Sequence, residues 1–299
     1  MKNRAFLIGG MVIAWLNLHG QVAAQEIHFP FSSKLVFVSN FIGNNEIYLA
    51  QNNRLTRLTT HSADDWWPVL SPDGKQLVFS SNRNGNFDVF LLTLENGELN
   101  RITSSPQDEN DPSWSWDGKS IFFVREEQGK WRLFRYELAG KKTVNPFPKA
   151  DLPALITPFQ SPQGDEFVFT AKVFFGWTVA RFQPGTGRFV KIGKSGSCRA
   201  KYSPDGRMIT FVSHEDDGLG DVWIMNRDGS NQKNLTPTRK DSYDYYPCFS
   251  PDGKWIVFSS SPKAKGKTGY DLYMLNRSTG EVEPIFLTAG NDAFPFWGN

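Results

Sequence analysis

From Lys34 to the C-terminus, short runs of apolar residues alternate with polar ones, and each run is bounded by glycine, proline or asparagine. A period of two predicts strands. The best-formed stretch is Asp244 to Ser260, DYYPCFSPDGKWIVFSS. Its centre, Ser250-Pro251-Asp252-Gly253, encodes a tight reversal. The proline presets φ, the aspartate accepts hydrogen bonds from nearby backbone, and the glycine takes positive φ. Pro247 to Phe249 and Lys254 to Ser259 are the predicted strands of this hairpin. In the second strand Trp255 and Val257 alternate with Ile256 and Phe258, so both faces are apolar and the strand is expected between two layers.

The reversal recurs as Ser71-Pro72-Asp73-Gly74, Ser115-Trp116-Asp117-Gly118, Ser161-Pro162-Gln163-Gly164 and Ser203-Pro204-Asp205-Gly206. Three residues before each serine stands Pro68, Pro112, Pro158, Ala200 or Pro247, and Pro295 continues the series at intervals of 44, 46, 42, 47 and 48 residues. Such constancy identifies a repeat architecture. Each unit has a short strand, the turn, an apolar strand, a polar loop, and then an acid leading an apolar-aromatic strand. That third strand reads Glu46-Ile47-Tyr48, Asp88-Val89-Phe90, Asp221-Val222-Trp223 and Asp271-Leu272-Tyr273. A fourth strand closes several units, at Leu58-Thr59, Ile102-Thr103, Leu235-Thr236 and Leu287-Thr288. Four antiparallel strands in about 45 residues make one blade of a β-propeller. The first copy, Lys34 to Phe37, has no inner strand before it, and the last, Asn291 to Asn299, is an inner strand with nothing after it. The expected fold is therefore all-β: a six-bladed β-propeller of four-stranded antiparallel blades. The C-terminal strand joins the N-terminal blade and closes the ring without a free edge.

Composition agrees, with 25 Phe, 10 Trp, 26 Gly and 18 Pro and few helix-favouring runs. Met1 to Ala24 reads differently. Lys2 and Arg4 precede an apolar run from Ala5 to Leu18, and Val22-Ala23-Ala24 stands ahead of Gln25. These are the three parts of a secretory signal peptide. The apolar run is shorter than the roughly 20 residues that span a bilayer, which argues against an uncleaved anchor. The expected organisation is a signal peptide at 1–24 and a single propeller domain at 25–299, located in the periplasm or secreted. Losing Lys2 and Arg4 takes the basic count from 33 to 31, equal to the 31 acidic residues. A neutral chain has no overall attraction for polyanions, so nucleic acid is not an expected partner.

The succession of proline, an aromatic residue, Ser-Pro-Asp-Gly-Lys, an apolar strand and an acid leading an aromatic strand resembles the WD-like propeller repeats of the TolB family. The resemblance covers essentially the whole mature chain. The ordinary WD signature is not met, because Trp116-Asp117 occupies a turn. TolB proteins carry an α/β domain ahead of their propeller, and no room for it is expected here. The resemblance implies a periplasmic binding propeller like the part of TolB that contacts the lipoprotein Pal. The implied partner is an envelope protein such as a Pal-like lipoprotein. Coupling to the inner-membrane Tol proteins, which involves the N-terminal region in that family, is not implied.

Candidate chemistry clusters ahead of the inner strands. Three places before the spacing proline lie Asp65, Glu109, Asp244 and Asp292, with Leu155 and Ser197 in the other two repeats. All four acids are expected near one mouth of the central channel. A carboxylate ring there would bind a cation such as Ca²⁺ or receive basic groups of a partner. Equally, each acid would accept backbone hydrogen bonds where its strand begins. Trp66-Trp67, Tyr245-Tyr246 and Phe294 lie beside the acids. Alternation turns one ring of each pair into a blade interface and the other toward the mouth, where it suits a protein or sugar face. Trp66, Tyr245 and Phe294 with the four acids form the candidate partner-binding set.

Cys198 and Cys248 lie near consecutive inner strands and are candidates for a disulfide in an oxidising compartment, although they are offset by three places along the repeat. His19, His28, His61 and His214 are isolated, so no metal-ligand cluster and no resident cofactor is expected. A G-x-S-x-G elbow and glycine-rich phosphate loops are missing. Ala171 to Trp177 put apolar residues where other repeats have a polar loop, through either a partner patch or drift of one repeat. Ser261 to Gly269, with Lys263, Lys265 and Lys267, reads as a solvated tip. Together these features predict an exported, monomeric, non-catalytic binding module for an envelope protein. The alternative is a carbohydrate-binding or carbohydrate-cleaving propeller, in which paired carboxylates near Asp244 and Asp292 would do acid–base work.

Overall fold

The computed structural model describes residues 25–26, 29, 31–174, 176–265, 269–286 and 290–299. The predicted signal peptide, His19, His28, Lys267 and Leu287-Thr288 lie outside the described residues. Six antiparallel sheets surround one axis, and in the second to sixth the strands run in chain order from the axis outward. The second blade is representative, with Asp65–Leu70 innermost and then Gln76–Ser81, Asp88–Thr93 and Leu99–Arg101. The inner strands of the third to sixth blades are Glu109–Trp114, Leu155–Gln160, Cys198–Tyr202 and Ser242–Phe249. Asp292–Gly298 pairs with Lys34–Ser39 and is the inner strand of the first blade. It lies between Ser242–Phe249 and Asp65–Leu70, so the ring closes at six blades. The first blade has one strand more than expected, because Gln25–Glu26 pairs with Arg54–Arg57 on its outer edge.

The turns form as their residues dictate. Ser71 Oγ donates to Asp73 Oδ1 (2.6 Å), which also accepts from Lys75 N (3.1 Å), while Gln76 N donates to Ser71 Oγ (2.9 Å). The same net recurs at Ser115, Ser203 and Ser250. In the fourth blade, where Gln163 replaces the aspartate, Ser161 Oγ reaches Asp165 Oδ1 instead (2.6 Å). Each turn follows an inner strand, so these turns share one rim and the inner strands begin at the other rim, the mouth.

Apolar clusters between neighbouring blades make up the core. Phe37, Phe79, Phe123, Phe169, Phe211 and Phe258, one from each second strand, are at most 1% exposed. Burial of such a ring contributes roughly 1.5–3 kcal/mol. Each of the six stands opposite a two-residue bulge of its inner strand: Phe294-Pro295, Trp67-Pro68, Asp111-Pro112, Thr157-Pro158, Arg199-Ala200 and Tyr246-Pro247, respectively.

Candidate functional site

The first residue of every bulge has a left-handed backbone: φ is +52° at Trp67, +49° at Asp111, +52° at Thr157, +58° at Arg199, +58° at Tyr246 and +56° at Phe294. That region costs a residue with a Cβ roughly 1–2 kcal/mol. The following proline is not its cause, since Arg199 adopts it ahead of Ala200. A bulge re-aims its side chain, and here all six point into the central channel. Backbone strain that recurs around a concave site is a pointer to function.

The channel holds about 40 Å³ of free space. At its mouth end the rings of Tyr246 and Phe294 lie 4.1 Å apart, and Trp67 meets Phe294 edge-on at 5.8 Å. Arg199 Nη1 approaches Asp111 Oδ1 to 3.7 Å across the channel, while Asp111 Oδ2 accepts from the Thr157 amide (3.0 Å). The guanidinium also sits 5.3 Å from the centre of the Tyr246 ring. Deeper in, Lys201 Nζ donates to the Pro295 carbonyl (3.2 Å) and lies 5.4 Å from both the Phe159 and Phe296 ring centres. Burial pushes the Asp111 carboxyl up, with Arg199 pulling the other way, and burial pulls the Lys201 ammonium below the ordinary lysine range.

Arg199 and Tyr246 also border a wider mouth groove of about 490 Å³ across the fourth to sixth blades. Its walls carry Trp177, His214, Tyr245 and Tyr270. His214 Nδ1 is bonded to the Gly196 carbonyl (2.7 Å) and Nε2 to the Tyr245 hydroxyl, which fixes the imidazole in the wall. The fourth blade's second and third strands extend into a hairpin, Phe167–Val173 and Gly176–Gln183. Gly176 and Trp177 line the groove, and Phe174 at the hairpin tip is fully exposed.

Several expected positions are corrected. Asp65, Glu109, Asp244 and Asp292 do not line the channel; all four are completely buried. Asp65 pairs with Arg83 (2.9 Å), Glu109 with Arg125 (2.6 Å) and Asp244 with Arg239 (3.1 Å). Ser260 Oγ adds a bond to Asp244 (2.6 Å). These arginines in turn lie over core aromatic rings, such as Phe90, Phe134 and Tyr273. Among the described residues no three His, Cys, Asp or Glu side chains converge as a metal site would require. Of the aromatic candidates, Phe294 lines the channel. Trp66 instead stands beside it, edge-on to Phe294 at 5.1 Å, and Tyr245 lies in the groove wall. Their neighbours Trp67 and Tyr246 take the channel positions because the bulge shifts the alternation by one. Cys198 and Cys248 are not joined in a disulfide. Cys198 precedes its bulge and packs near Val212 and Tyr245, whereas Cys248 follows its own and is buried against Val257 and Trp297, in a different blade interface. Sequence reasoning missed Asp111, Thr157, Arg199 and Lys201. For Asp111, Thr157 and Arg199 the available signal was their constant place just before the spacing proline or alanine, whereas Lys201 stands one place after it.

Two kinds of comparison bear on this architecture. TolB from Acinetobacter baumannii is similar in structure, with a TM-score of 0.78 at 21% identity, covering 91% of this chain and 68% of that one. An oligogalacturonate lyase from Vibrio parahaemolyticus shares the fold with a TM-score of 0.54 at 18% identity, covering 86% and 72%. By sequence, an uncharacterized protein of Agrobacterium fabrum is 31% identical over 140 residues, 45% of this chain and 44% of its own length. Dipeptidyl-peptidase 5 of Porphyromonas gingivalis is 25% identical over 303 residues, 91% of this chain and 41% of its own. The chain thus spans less than half the length of these curated relatives. The TolB beta propeller domain matches residues 12–172, more than half of the chain. With its closed ring of six four-stranded blades, the chain belongs to the TolB β-propeller domain family.

Proposed function

We propose that this protein is an exported, non-catalytic binding propeller whose mouth face docks another protein of the cell envelope. The observation that carries the reading is the concentration of aromatic side chains on that face. Trp67, Tyr246 and Phe294 ring the channel, Trp177, Tyr245 and Tyr270 line the groove, and Phe174 stands fully exposed beside it. Aromatic anchors next to a concave surface are the composition of interface hot spots. Three of the inner-strand acids, Asp65, Glu109 and Asp244, are committed to arginines, and Asp111 is the carboxylate of the channel lining.

Membership in the TolB propeller family favours a periplasmic setting and an envelope partner, with a Pal-like lipoprotein as the first candidate. The signal peptide at 1–24 and a monomeric state belong to the same reading. No helix among the described residues is long and apolar enough to cross a membrane.

The test is capture from detergent-solubilised envelope by the wild type and by a Phe174→Ser, Tyr270→Ala variant. A protein recovered by the wild type alone supports docking at the mouth, and equal recovery by both refutes it. The second reading, a carbohydrate propeller, is favoured by the aromatic and hydroxyl lining of the groove, which includes Thr170, Ser195 and Tyr245. A glycan retained by the wild type and lost by the same variant, with no protein captured, would replace the first reading with it.

A further inference from the structure

The channel carries a surplus of positive charge. In three blades an inner-strand acid meets its own arginine, but Arg199 and Lys201 face the channel together against the single carboxylate of Asp111. Asp111 is already engaged, since one of its oxygens takes the Thr157 amide and the other stays 3.7 Å from the guanidinium. The described partners of Lys201 are a carbonyl and two phenyl rings, none of them an anion. An ammonium drawn partly out of water without a counterion is costly. Its retention in the lining of the channel is explained if an anion arrives from outside.

Size and lining limit what that anion is. About 40 Å³ holds a few water-sized groups, at roughly 10–15 Å³ each, or one carboxylate. It is far below the roughly 300 Å³ at which small-molecule pockets begin. Entry from the mouth passes Trp67, Tyr246 and Phe294, an apolar collar suited to the methylene stem of a side chain rather than to a hydrated free ion. On the turn side Lys201 also borders a wider opening of about 310 Å³, so the size limit holds for entry from the mouth, and water can leave the channel ahead of an incoming group.

Resting on the mouth as the docking face, we propose that the channel is a carboxylate receptor: an acidic side chain of the docked polypeptide passes the aromatic collar and is held by Arg199 and Lys201. The partner's contact segment is thereby assigned a glutamate or aspartate that projects from its surface.

The test titrates the purified protein with the blocked pentapeptides acetyl-Ala-Ala-Glu-Ala-Ala-amide and acetyl-Ala-Ala-Gln-Ala-Ala-amide by calorimetry. The Glu peptide is expected to bind at least tenfold more tightly. That preference should disappear in Lys201→Met, which keeps the stem and its contacts with Phe159 and Phe296. Arg199→Gln serves as the second variant, and near-UV circular dichroism verifies the fold of both. In the wild type the Lys201 ammonium, followed by NMR, should titrate at higher pH with the Glu peptide bound. Equal binding of the two peptides, or a preference that survives in both variants, overturns the proposal. Binding of galacturonate or inorganic phosphate without binding of the Glu peptide overturns the polypeptide occupant. Failure here is distinguishable from failure of the docking face: capture lost in the Phe174→Ser, Tyr270→Ala variant but intact in Lys201→Met and Arg199→Gln would keep the mouth and discard the carboxylate.

Discussion

Replacing Asp65 separates the two roles open to an inner-strand acid. Its carboxylate has no exposed surface, and Arg83 Nη2 spans both of its oxygens at 2.9 and 3.0 Å. Arg83 Nε donates to Ser81 Oγ (2.9 Å), and the guanidinium sits 4.7 Å from the centre of Phe90 and 5.5 Å from that of Phe79. Asp65→Ala strands this cation, and breaking one partner of a buried pair costs roughly 3–5 kcal/mol. At about 2–4 °C per kcal/mol for a domain of this size, the Tm should fall on the order of 10 °C. Adding Arg83→Met removes the stranded charge and leaves an apolar stem over the two rings. The double variant should therefore recover much of the loss, with a coupling energy of roughly 1–3 kcal/mol. Urea denaturation of the four proteins of the cycle, followed by tryptophan fluorescence, measures both quantities. If Asp65→Ala stays within about 0.5 kcal/mol of the wild type, or the two effects simply add, the structural account of the acid is wrong and a contact role at the mouth returns.

Four further outcomes are expected. Burial lifts the Asp221 carboxyl from 3.8 to about 6, with Asp217 reinforcing it, so the folded protein holds a proton that the unfolded chain has lost. Its contribution to stability therefore declines as pH rises from about 4 to 6 and is level above that; Asp221→Asn should flatten this segment of a stability–pH curve, and an unchanged slope refutes the assignment. Phe174→Ser removes a fully exposed ring, so stability should hold within about 0.5 kcal/mol while partner capture falls. Trp297 packs at 5.3 Å from Phe29 and 4.9 Å from Phe31 and donates from Nε1 to Ser33 Oγ (2.8 Å), so Trp297→Ala should cost about 3–5 kcal/mol in urea; a loss below about 1 kcal/mol would show that the N-terminal arm does not brace the closing strand. A thiol reagent added to the denatured, unreduced protein should label both Cys198 and Cys248, and two unreactive sulfurs would show a disulfide between them.

The ring was legible because its turns admit few residue types. Serine, aspartate and glycine each satisfy a backbone demand at Ser71, Asp73 and Gly74 that most side chains cannot, and so they recur and can be counted. The channel was illegible for the complementary reason. Its six residues share one backbone conformation, imposed by the ladder opposite a buried phenylalanine, but Trp67, Asp111, Thr157, Arg199, Tyr246 and Phe294 share no chemistry. Plain alternation, blind to the bulge, sends Trp66 and Tyr245 where Trp67 and Tyr246 go. The inner-strand acids misled differently, because their arginines come from irregular distances, Arg83 and Arg125 following their acids and Arg239 preceding its own. A repeated acid without a repeated partner looks free in sequence. The fold thus holds the backbone of the channel positions constant and leaves their side chains unconstrained, which lets one propeller carry a surplus cation where another copy of the same ring need not. For this chain that freedom was spent on Arg199 and, one step deeper, Lys201, and the chemistry of whatever enters the channel follows from those two residues rather than from the repeat.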